Sequence, residues 1–205
     1  MYALVINNEI TKYFSYPKGF TLGDLQYPKD IFMKWSVSEK EAIGIYEVVF
    51  DDSNKKDEQW YINTNQSFAF ADGVVTASYG TATAKAHADT TWSQEQIDDG
   101  MAPDGADTNT VATRGLKYNL IQTLKSQVAG ILANTDWYIT RKTEKTTAIP
   151  SAITTHRNAV RTKQASMETL ITNASDTPAL ETLYTYTTTD DVQSRPLGEL
   201  PTLEI

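Results

Sequence analysis

The sequence predicts an α+β protein, a small antiparallel β domain followed by a helical hairpin with an extended tail. Three observations carry this expectation. Short apolar runs broken by turn residues fill residues 1–80. An acidic, Gly/Asp/Thr-rich stretch runs on to residue 110. From residue 111 the apolar positions recur every three or four residues, the period of a helix. The expected division is therefore a β domain at 1–80, a linker at 81–110, a helical hairpin at 111–184 and an extended C-terminal tail at 185–205.

The β elements follow from local chemistry. Tyr2 to Ile6 is an apolar run closed by Asn7-Asn8, and it reads as a strand rather than a signal peptide, because no basic leader precedes it. Ile10 to Tyr16 continues with β-branched and aromatic residues. Pro17-Lys18-Gly19 and Tyr27-Pro28-Lys29-Asp30 are turn sequences. Ile31 to Trp35 and Ala42 to Phe50 read as further strands, and the charged stretch Asp51 to Glu58 reads as a hairpin loop. Gln59–Asn63 and Gln66–Phe70 are expected to pair about Asn63-Thr64-Asn65. Asp72-Gly73 precedes Val74 to Tyr79, and an Asp-Gly pair between two apolar runs is a strong hairpin signal.

Residues 81–110 are expected as linker, with a short helix at Ser93–Ile97. Asp98, Asp99, Asp104 and Asp107 are not spaced as a calcium loop requires, so they read as solvated acids.

Leu116, Leu120, Leu124, Val128, Ile131 and Leu132 draw one apolar stripe on a helix from Val111 to Asn134. Asn134-Thr135-Asp136 offers cap chemistry for a short turn through Arg141. Pro150 opens a second long helix to Ala174, with Ile153, Val160 and Met167 seven apart. Asp176-Thr177-Pro178 restarts a short helix to Leu183. Two helices with one apolar face each leave a seam that something else must cover. Leu116, Leu120, Leu124, Val128, Val160 and Met167 are the expected seam, and Leu197, Leu200 and Leu203 of the tail join them as candidate interface. With Ile205 these tail residues form an apolar set around Pro196 and Pro201, which favours a docked, extended segment.

Composition narrows the chemistry. Cysteine is absent, which excludes disulfides, cysteine nucleophiles and thiolate metal sites. Two histidines, His87 and His156, are too few for a three-histidine centre, and both read as surface residues. No Gly-x-Ser-x-Gly elbow or phosphate-binding glycine loop is present. Glu41, Glu47, Asp51 and Asp52 have no spacing that would fix a carboxylate pair on one cleft. No cofactor and no catalytic residue is expected. The net charge of −8 disfavours nucleic acid, and no apolar run is long enough to suggest a membrane span. The charge is uneven, at −9 over residues 1–110, +6 over 111–170 and −5 over the last 35 residues, so basic and acidic parts can pair within the chain or between copies.

One constellation stands out: Thr135-Asp136-Trp137, Arg141, Glu144, Pro150, then Arg157 and Arg161. Asp136 is placed to cap the helical turn, and Arg141 and Glu144 are spaced to pair on one helical face. Arg157 and Arg161 are placed to reach Asp136 or Glu144. Trp137 is large enough to plug the junction of the helices, so it is expected to be largely buried, with Trp137→Ala costing about 3–5 kcal/mol.

This run, with Leu132 before it, resembles the C-terminal helical segment of tailed-bacteriophage tail-fibre, tail-fibre-assembly-like and baseplate-associated structural proteins. The resemblance covers residues 111–165, and the opening Tyr2 to Ile10, Tyr27-Pro28 and Ala42 to Tyr46 are similar to the β module that precedes it. Such proteins often carry Tyr-Arg-x-x-Leu-Arg where this chain has His156 and Val160. The resemblance implies a non-enzymatic structural component of the virion tail, made in the host cytoplasm. It would dock to other tail proteins and form a homo-oligomer, a trimer first of all, without nucleic acid or membrane. A fibre-assembly chaperone and, further off, a polysaccharide depolymerase are the alternatives.

Overall fold

The computed structural model describes residues 1–203 of the chain. It is a mixed α and β structure whose contacts divide into two units, Met1–Thr83 and Ala84–Ile205. Ile205, counted above in the tail's apolar set, lies outside the described residues.

The first unit is built on a five-stranded sheet in the order β2-β1-β5-β8-β7. Strands β1 (Tyr2–Ile6) and β2 (Glu9–Phe14) form a hairpin turned at Asn7 and Asn8, both at positive φ, as a tight hairpin turn demands. β3 (Phe20–Leu22) and β4 (Leu25–Tyr27) make a separate small hairpin. β5 (Ile45–Asp51) pairs antiparallel with β1 through its first residues and parallel with β8 (Val74–Tyr79) through its last. β7 (Gln66–Ala71) returns beside β8 through Asp72-Gly73, the turn the sequence marks. The sheet is therefore mixed, and the expectation of an all-antiparallel domain is corrected. A parallel pair needs a crossover. Here it runs through residues 52–73, which include β6 (Tyr61–Ile62) and β7, so Gln59–Asn63 does not pair with Gln66–Phe70 as expected.

The sheet curls until its two edges meet, with the rings of Tyr13 on β2 and Phe68 on β7 4.6 Å apart. Alternation along β1 feeds two cores. Ala3 and Val5 join Val48, Val75 and Ala77 inside the curl, where small residues fit. Leu4 turns to the other face with Phe14, Phe20, Ile31, Phe32 and Ile45. Ile31 and Phe32 come from α1 (Ile31–Lys34), a single turn where the sequence suggests a strand. A five-residue apolar run fits either, and the one-sided burial of Ile31 and Phe32 decides it. α2 (Val37–Glu41) is started by a reciprocal cap between Ser36 and Glu39. Gly44, at φ +81°, lets the chain pass so close to Val5 that a β-carbon would run into the Val5 carbonyl.

The second unit opens with residues expected to be linker. They instead fold against the helices. After β9 (Thr83–Ala84), β10 (Thr90–Thr91) pairs with β11 (Val111–Thr113), and α3 (Gln94–Asp98) is capped by Ser93 and Gln96. The carbonyls of Ala86 and His87 accept the Leu116 and Lys117 N–H groups, and the Asp89 carboxylate accepts that of Gly115 at 2.8 Å. These are first-turn donors of α4 (Leu116–Ala133), which have no partner inside the helix. Gly115 is required there because a side chain would collide with Ala88. Thr177 ties the same segment down by donating to the Lys85 carbonyl at 2.6 Å.

α4 and α6 (Ser151–Asn173) pack antiparallel: Lys117 at the start of α4 donates to the Thr172 carbonyl, and Arg157 near the start of α6 donates to that of Leu132. α5 (Asp136–Lys145) lies between them in sequence and runs past the expected end at Arg141. α7 (Thr177–Tyr184) is capped by Asp176, with Pro178 in its first turn.

The described residues of the tail are ordered within their own unit, packed against its helices. The tail is also not wholly extended, because β12 (Thr187–Thr189) and β13 (Val192–Ser194) form a hairpin about Asp190 and Asp191. Leu197 is then fully buried, with its N–H bonded to the Leu183 carbonyl.

Candidate functional site

The hairpin seam is not free. Leu124, Val128, Val160, Met167 and Leu197 are buried within the unit, and Leu116, Leu120, Leu200 and Leu203 are half-buried. Their packing against each other, α7 and the tail satisfies the apolar faces that the sequence leaves uncovered. These nine residues therefore do not form an exposed apolar seam, which corrects the expected interface.

The corner where α4 gives way to α5 is built around Arg157. Its guanidinium is buried and donates to the Leu132 carbonyl at 2.8 Å and to Thr135 Oγ1 at 2.7 Å. Its other amino group meets the Asp136 carboxylate at 2.8 Å. Leu132 lies in the last turn of α4, where carbonyls lack helical partners and a cation is favoured. The Thr135 hydroxyl also donates to the Leu132 carbonyl, so that one oxygen gathers the corner. Asp136 is thus an ion-pair partner and not a cap; Thr135 holds the cap position, with no side-chain bond to the helix.

Trp137 is not the plug expected between the helices. It is 51% exposed, and α5 has no buried residue. Its ring lies against that of Tyr138, centroids 3.8 Å apart, and the Arg141 guanidinium sits 4.6 Å and 5.2 Å from the two rings. Arg141 Nε is buried without a hydrogen-bond partner, so its cation is held by ring faces, with no ion pair to Glu144 among the described residues. Arg161 is exposed and also outside the corner's bonds, while Pro150 stands at the cap position of α6.

His156 is buried, which corrects its surface reading. It lines a cavity of about 240 Å³ with Ile131 and Thr135 on one wall and Leu200 to Leu203 of the tail on the other. His156 and Arg157 are neighbours on a buried stripe of α6 with Ile153 and Val160, and that spacing was the available signal. Tyr138 was the residue missed; its position three before Arg141 is the spacing of a helical neighbour.

Elsewhere, a second cavity of about 360 Å³ lies at the β3–β4 hairpin beside Phe20 and Tyr27, whose rings stack 5.2 Å apart. Among the described residues no group of three His, Asp or Glu is placed to hold a metal ion, and no helix is long and apolar enough to cross a membrane. No protein-family model, curated protein or solved structure matches the chain.

The arrangement pairs a pinned base with a presented surface. The Arg157 bonds fix how α5 leaves α4, and α5 then presents a Trp–Tyr–Arg stack in which Trp137 is exposed and Tyr138 and Arg141 are half-buried. Trp, Tyr and Arg are the side chains that most often anchor protein interfaces, because they bury large area at low conformational cost.

Proposed function

We propose that this chain is a non-enzymatic structural component of a bacteriophage tail, a fibre or baseplate subunit that docks to neighbouring virion proteins. In this reading the fold is an N-terminal β unit followed by a helical hairpin unit, and the hairpin corner is the docking end. The supporting observation is the corner itself. Thr135, Asp136 and Arg157, three residues of the resemblance to phage tail proteins, meet in one bonded cluster. Trp137, exposed, and Arg141, half-buried, are two more and form the stack beside it. A corner that exposes Trp137 beside a bonded cluster is suited to permanent docking. In this reading the protein resides in the virion tail, after synthesis in the host cytoplasm, as a homo-oligomer, a trimer first of all, with other tail proteins as partners.

Mass spectrometry of washed virions of the phage that encodes the chain tests this. The expected result is the protein at a fixed copy number. Its presence in infected-cell lysate and absence from virions would instead assign it to tail-fibre assembly as a chaperone. Release of reducing ends from host capsule or lipopolysaccharide by the purified protein would make it a depolymerase.

A further inference from the structure

We infer that copies of this chain associate head to tail, the α5 stack of one copy receiving the acidic loop after α3 of the next. This deepens the docking role proposed above and rests on it. The second surface comes from residues 98–104, Asp-Asp-Gly-Met-Ala-Pro-Asp. Helix α3 ends there in a doubly bonded turn: the Gly100 N–H donates to the Ile97 carbonyl and the Met101 N–H to that of Gln96, with Gly100 at φ +71°. In such a turn the residue at the Met101 position ordinarily packs back on its own helix. Met101 does not; it is 64% exposed. The loop thus holds an apolar knob on an ordered turn, flanked by Asp98, Asp99 and Asp104 with no cation among them.

The stack is its chemical complement. Trp137, 51% exposed, leaves the part of its ring not covered by Tyr138 and Arg141 open to a thioether, a favourable sulfur–aromatic contact often made at a ring edge. Arg141 lies against the two rings, and Lys142 and Lys145 follow on the same helix; of the two acids of α5, Asp136 is engaged by Arg157, which leaves Glu144 as the one without an ion pair among the described residues. Charge complementarity selects this partner and disfavours two stacks meeting each other, which would bring like charges together. Met101 and Trp137 belong to one unit yet are both exposed, so the knob is not in its own socket. A contact between two different patches of identical chains is heterologous, and it closes into a ring when the rotation allows. Both surfaces are ordered before they meet, which lowers the entropy lost on association.

Sedimentation velocity on the full chain tests the inference. Wild type is expected to associate at micromolar concentration and to dissociate as salt rises. Trp137→Ala and Met101→Ser should each weaken association at least about tenfold while melting like wild type, since both side chains are exposed. Should either variant melt early, Lys142→Glu at an exposed position carries the same expectation for the socket. Mixing Trp137→Ala with Met101→Ser is decisive. One has an intact knob and the other an intact socket, so the mixture should form a one-to-one dimer and nothing larger. A monomeric wild type, association untouched by Met101→Ser, or a mixture that stays monomeric would overturn the inference. Virion incorporation is measured separately, so self-association failing in solution and the protein missing from virions are distinct results.

Discussion

Arg157 does the most for its size. A buried guanidinium is costly unless its donors are met, and here a helix-end carbonyl, a hydroxyl and a carboxylate meet them. The partners are unequal. Asp136 is largely exposed, its side chain at 61%, so water screens that ion pair and its net worth is small. The Leu132 carbonyl and Thr135 hydroxyl are shielded and depend on Arg157 more. Arg157→Met should therefore cost about 2–3 kcal/mol, and Asp136→Asn less than about 1 kcal/mol. Urea unfolding followed by helical circular dichroism checks the order, and equal losses would contradict it. Trp137→Ala should cost less than about 1 kcal/mol, the worth of an exposed cation–π contact. That replaces the larger loss expected of a buried plug, and a loss near 3 kcal/mol would restore the plug.

At the scale of elements, the tail acts as part of the helical core. Leu197 is 1% exposed, so Leu197→Ala should destabilise the second unit by about 2–4 kcal/mol in urea unfolding. A tail that served only a neighbouring subunit would show no such loss. A polar clasp brackets Leu197 in sequence. Arg195 meets Glu199 at 2.8 Å, and the Tyr186 hydroxyl donates to Glu199 at 2.6 Å. Partial burial pushes the Glu199 carboxyl up, but the Tyr186 and Arg195 bonds outweigh it and leave it below the ordinary glutamate value. A lowered folded-state value means that the clasp contributes above the unfolded glutamate value and is lost as pH falls through the folded one. The protection of the Leu197 N–H, its exchange rate measured relative to the intrinsic rate at each pH, should accordingly fall on acidification. Glu199→Gln should remove most of that fall, and an unchanged response would contradict the clasp.

Element by element, local signals read well and long-range ones did not. Asp72-Gly73, Pro150 and Asp176 mark their turn or helix starts because that chemistry acts within a few residues. The parallel β5–β8 pair was hidden, since nothing in Val48–Asp51 distinguishes a parallel from an antiparallel partner. The folded character of residues 84–115 was hidden too, because its anchors are backbone carbonyls and one carboxylate meeting α4 and α7, not an apolar pattern. For the corner, spacing put Arg157 and Arg161 within reach of Asp136 or Glu144, and of these the Arg157–Asp136 contact forms, with Asp136 as ion-pair partner and not as cap. Trp137 was misplaced because size and hydrophobicity alone suggest burial, whereas the Arg157 bonds already close the corner without it.

For the whole molecule, the uneven charge takes on a structural meaning. The positive segment 111–170 carries the long helices and the stack with its exposed Trp137, while the parts on either side of it in sequence are acidic. Such a distribution favours ordered contact between different surfaces over contact between like ones. The central claim is that this chain is a resident tail protein docked through its helical corner. Its most direct test is copy number in washed virions, by quantitative mass spectrometry, with wild type and Trp137→Ala each supplied in trans to a phage lacking the gene. Wild type should appear at one constant stoichiometry, and the variant, equally folded and soluble in the lysate, should fall at least about tenfold. Wild type absent from virions, or the variant present at full copy number, would contradict the account.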